Sequence, residues 1–109
     1  MVGLSPRTKR HVAALFRDQD VAVAERLLLQ QCGETLPGLG ASATPASLER
    51  VRFAALRQSG GRIDRLQDAV ALAQVDWRDL LVAAGFADDP HAHEAWEPGR
   101  GDAEDPDGT

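Results

Sequence analysis

The chain has 109 residues, 43% hydrophobic and 27% charged, with a formal net charge of −5. That length allows one domain with one modest core, and the balance is that of a globular protein rather than a disordered one. No apolar run approaches the roughly 20 residues that a bilayer span needs. The opening "MVGLSPRTKR" lacks the apolar stretch of a secretory signal. One cysteine, Cys32, cannot close an internal disulfide, which suits a reducing compartment, so a cytoplasmic location is expected. The abundance of Arg and Ala, with one Lys and one Ile, fits a GC-rich bacterial genome.

Charge is unevenly spread. Residues 97–109 hold Glu97, Asp102, Glu104, Asp105 and Asp107 against Arg100, so most of the net acidity belongs to the C-terminal tail. The first 65 residues lean basic, with Arg7, Lys9, Arg10 and Arg17 grouped early.

In chain order, "SPRTKRHVAALF" puts Ser5 at an N-cap and Pro6 at the first helical position, where a missing N–H costs nothing. A first helix to about Phe16 follows. A second begins near Asp18 or Asp20, carries Val21, Ala24, Leu28 and Cys32 on one stripe, and stops at Gly33, which can adopt positive φ. "ETLPGLGASA" reads as a loop. Thr44 and Pro45 repeat the start device, and a third helix runs to Gly60 and Gly61. Leu48, Val51, Phe53, Ala54, Ala55 and Leu56 cover most of its circumference, which predicts the central buried helix.

Asp64, with Gln67 three residues on, predicts the capped start of a fourth helix with the stripe Leu66, Ala69, Val70 and Ala73. Asp76 then caps a fifth, where Trp77, Leu80, Leu81 and Ala84 share a face and Gly85 and Phe86 form the stop. Asp89 and Pro90 start a short sixth helix through "HAHE". No segment alternates at period two. The expectation is an all-α bundle of five to six short helices in one domain over 4–97, followed by a disordered acidic tail over 98–109. Its core is drawn from Leu28, Leu48, Phe53, Leu56, Trp77, Leu80, Leu81, Phe86 and Trp96.

Candidate chemistry is sparse. His91, His93 and Glu94 could be metal ligands, but on a helix the two imidazoles point roughly 160° apart, and zinc needs three or four convergent ligands. The preferred reading has His93 and Trp96 docking the segment while His91 and Glu94 face water. No cofactor is expected. "GLGAS" lacks the lysine and the strand context of a phosphate loop, and no serine nucleophile signature exists. Cys32 lies on an apolar stripe and reads as an inert core residue. No enzymatic constellation is visible.

Arg52 falls inside the apolar arc of the third helix. A buried guanidinium must be paired, so an internal pair with Asp64, Asp76 or Asp79 is expected, the other reading being a groove that receives a partner's carboxylate. Arg78 and Asp79 stand on the outer face of the predicted fifth helix. The fourth and fifth helices invite comparison with a helix-turn-helix, yet residues 66–109 hold only Arg78 and Arg100 against eleven acids, and Arg78, Asp79, Val82 and Ala83 make a poor recognition face. The segments "LERVRFAALRQSGG", "AQVDWRDLLVAAGF" and "AHEAW" together resemble a group of small all-helical bacterial proteins. That resemblance would span most of residues 4–97; it implies a stand-alone domain and brings no activity. The function expected is a protein-protein interaction or regulatory module with an unidentified protein partner. The alternative is a nucleic-acid-binding regulator using the basic first helix or the paired fourth and fifth.

Overall fold

A computed structural model describes residues 4–33, 36, 44–89, 91–96 and 98. Among them are four α-helices and one 3-10 turn: α1 (Pro6–Leu15), α2 (Asp18–Gln31), α3 (Pro45–Ser59), α4 (Ile63–Ala84) and the turn Ala92–Ala95. The described residues are thus all-helical, and none of their helices is long and apolar enough to cross a membrane. The expected tail, 98–109, lies outside the described residues apart from Pro98.

The caps explain where the helices begin. The Ser5 hydroxyl accepts from the Thr8 N–H, and Thr44 and Ser47 bond reciprocally in a capping box, each satisfying N–H groups that a helix start leaves unpaired. Two predicted devices fail. α4 starts at Ile63, not after Asp64, because the Leu66 N–H already reaches the Arg62 carbonyl at 2.9 Å. Asp64 lies inside the first turn, where it pairs with Arg62 and suits the positive end of the helix dipole. α2 stops without a positive φ at Gly33, its capping residue being Cys32 at φ −122°.

The count of five to six helices is also corrected. The predicted fourth and fifth form one element, α4, broken at Asp76 by a backbone at φ −160° and ψ 101°. The Asp76 side chain accepts from the Arg78 N–H and so restarts the helix, but no turn intervenes. The predicted sixth helix is only a 3-10 turn, entered through Asp89, whose carboxylate accepts from the His91 N–H and whose carbonyl accepts from the Ala92 N–H.

α3 lies at the centre and packs chiefly on α4, which also carries α2; α1 closes the other side against α2 and α3, and the 3-10 turn sits on α3. The core holds Leu28, Leu48, Phe53, Leu56, Leu80, Leu81, Phe86 and Trp96, joined by Leu4, Val12, Phe16 and Leu36. Trp77 is the exception among the predicted anchors. It is only half-buried at the core's edge, because it follows the break directly and Arg78 covers its ring at 5.7 Å.

Candidate functional site

Two regions of the fold concentrate features that packing alone does not require. The first is an aromatic and imidazole cluster beneath the C-terminal 3-10 turn. On α1, Thr8, His11 and Val12 form the buried stripe, which brings the His11 ring to 4.5 Å from that of Phe53 on α3. From the other side His93 and Trp96 present their edges to Phe53 at 5.5 and 5.9 Å, and Phe86 closes the cluster at 6.4 and 6.3 Å from those two rings. Such edge and tilted pairings match the positive rim of one ring with the negative face of the next. Arg7 and Arg57 lie over Phe53 and Phe86, each 5.5 Å from the ring centre.

Polar contacts fix the segment that crosses this cluster. Arg50 on α3 donates to the carbonyls of Phe86 and Ala87 at 2.6 and 3.1 Å, Arg7 donates to the Glu94 carbonyl, and His11 Nε2 meets the Trp96 carbonyl at 3.2 Å. His93 is 2% exposed, and its Nδ1 has no hydrogen-bond partner among the described residues. Burial depresses its pKa below the ordinary imidazole value. His91 and Glu94 are exposed and pair at 3.1 Å; that hydrogen bond raises the imidazole and lowers the carboxyl.

His91 and Glu94 therefore face solvent together while His93 faces the core, so the three do not converge on one point. Among the described residues no group of three or more His, Cys, Asp or Glu could hold a metal ion. His11, Arg7 and Arg50 join this cluster without having stood out in the sequence as part of a site. The inward place of His11 was signalled by Leu4 and Leu15, seven residues before and four after it on one helical face, but Arg50 looked like any surface arginine.

Arg52 is buried, but not in the expected place. Its Nε donates to the Cys32 carbonyl at 3.0 Å, satisfying one of the orphan acceptors at the C-terminal end of α2 rather than locking the α3–α4 corner. Asp64 and Asp76, two of its expected partners, are held by Arg62 and Arg78 at 3.1 and 3.5 Å. Cys32 is fully buried, and desolvation pushes its thiol up to about 12 despite the nearby guanidinium of Arg52. Arg78 and Asp79 are exposed on α4 and are not brought to Arg52's buried position.

The second region is a groove of about 270 Å³ between the end of α3 and the two halves of α4. Gln58, Arg65, Asp68, Ala69, Leu72 and Leu80 line it. Leu80, beyond the break at Asp76, shares the wall with Ala69 and Leu72, and Gln58 spans to the Ala83 carbonyl at 2.9 Å. One turn beyond Leu72, Val75 stands 82% exposed, and Val82 is 65% exposed beyond the break.

No family model, curated protein or solved structure matches the chain. The functional reading therefore rests on these two regions.

Proposed function

We propose that this chain is a small helical interaction or regulatory module that receives another protein in the groove of the broken α4. One observation carries the reading: a partly apolar groove, lined by Ala69, Leu72 and Leu80, lies one helical turn from the solvent-facing Val75. Exposed aliphatic groups beside a concavity are the sort of surface that helix-in-groove recognition uses, with Arg65 and Asp68 as a polar rim. We assign the chain binding and no catalytic step, and we place it in the cytoplasm, in keeping with its single cysteine. The runner-up, nucleic-acid binding, would use the exposed Lys9 and Arg10 of α1.

The test is affinity capture with mass-spectrometric identification, comparing the native chain with Val75→Glu and Val82→Glu. Both positions are so exposed that stability should change by no more than about 0.5 kcal/mol. A partner retained by the native chain and lost by Val75→Glu supports the groove. Equal retention by all three overturns it, as does tight binding to duplex DNA that weakens steeply with salt.

A further inference from the structure

The segment from Ala87 to Trp96 is joined to the body through side chains rather than through a backbone ladder. Its own backbone bonds close locally, from Ala92 to Asp89, Glu94 to His91 and Trp96 to His93. Arg50 grips its entry, Arg7 its middle and His11 its exit. Between these points the rings of His93 and Trp96, three positions apart, insert between α1 and α3, and Ala92 packs against the core. Backbone bonds that close locally and a few anchoring side chains mark a unit that can open without unfolding the rest.

His93 is the weak point of that unit. A neutral imidazole sits well against the edges of Phe53 and Phe86, but an imidazolium must carry an N–H on both nitrogens, and Nδ1 is buried without an acceptor among the described residues. The charged groups facing it do not settle the matter. Glu94 on the segment and Glu49 on α3 favour the charged ring, while Arg50 on α3 and Arg7 on α1 oppose it, leaving burial as the largest influence. From α1, His11 faces the same Phe53 ring.

We propose that the segment carrying His93 and Trp96 is an acid-released clip, in which protonation of His93 expels it and bares the Phe53 and Phe86 face between α1 and α3. The sign follows from linkage. His93 takes up a proton more readily when released, near the ordinary value of about 6.5, than when docked. Docking is at full strength above that pH and weakens as the pH falls toward the docked value, about tenfold for each unit by which the two differ. His91 does not drive release: it is exposed, and Glu94 favours its charged form in place.

The chain has two tryptophans, so Trp77→Phe leaves Trp96 as the single reporter. Its emission, followed from about pH 8 to about pH 4.5 beside far-ultraviolet circular dichroism, should shift red with a midpoint below about 6.5 while the helical signal stays. His93→Leu in that background should abolish the shift, and His91→Ala should keep it. In the native chain the His93 imidazole, observed by NMR, should titrate with the same midpoint, which tests the trigger even if His93→Leu folds poorly. Emission that stays flat, helix lost at the same midpoint, a shift that survives in His93→Leu, or a His93 titration that does not coincide with it would each overturn the clip.

Discussion

At the turn between α3 and α4 two adjacent glycines perform different work, and replacing each by alanine separates a conformational cost from a steric one. Gly60 has φ +57° and Gly61 φ +88°, both in the region that side chains avoid. A Cβ on Gly60 would meet nothing within 4 Å, whereas on Gly61 it would lie 2.5 Å from the Leu15 carbonyl oxygen and 3.4 Å from its carbon. That obstacle is backbone. It sits at the last residue of α1, and Val12 and Phe16 on either side are buried, so the helix end cannot withdraw without disturbing the core. Gly60→Ala should therefore cost only the left-handed penalty, about 1 kcal/mol. Gly61→Ala adds a collision that must be relieved by moving α1, for a total of about 3–4 kcal/mol. In a domain of this size each 1 kcal/mol corresponds to roughly 4–8 °C, so thermal melting should place Gly61→Ala at least about 8 °C below Gly60→Ala. Two variants that melt together would refute the close approach of the α3–α4 turn to α1.

Trp77→Ala should cost about 1–2 kcal/mol by denaturant titration, because the ring is half-buried and partly covered by Arg78, against about 3–5 kcal/mol for Phe53→Ala; equal losses would place Trp77 in the core after all. Cys32 should resist a thiol reagent in the native protein at pH 8 and react only on unfolding, since burial holds the thiol near 12. Its raised value also fixes a sign: the unfolded thiol ionises near pH 8.5, so stability is full below that and falls as the pH climbs toward 12. Denaturant midpoints that fall no more steeply up to about pH 10.5 in the native chain than in Cys32→Ala would contradict it.

What was legible in the sequence was what is decided within a few residues. Ser5 with Pro6 and Thr44 with Pro45 announce helix starts because the cap oxygen and the N–H groups it serves are local, and Gly85 with Phe86 announces a stop because the Phe86 N–H bonds to the Leu81 carbonyl five residues back. The same local chemistry misled at Asp64, where the pattern fits a cap but the chain turns helical one residue before it. Periodicity was sound for Leu80, Leu81 and Ala84 and reached only the core's edge at Trp77, since a stripe extrapolated to the first residue after a break takes no account of the break.

The candidate sites lie almost wholly beyond that range. That His93 and Trp96 share an inward side is a three-residue fact and could be read in advance. That they meet His11, some eighty positions earlier, across Phe53, and that Arg7 and Arg50 hold the same segment, follows only from how α1 and α3 pack. The groove has the same origin: Ala69 and Leu72 belong to one half of α4 and Leu80 to the other, and a sequence pattern that makes each half amphipathic says nothing about the angle between them. In a chain this small both candidate sites are therefore properties of helix junctions, the break at Asp76 and the crossing of the C-terminal turn over α1 and α3. Substitutions of exposed residues there, such as Val75, should alter binding before they alter the fold.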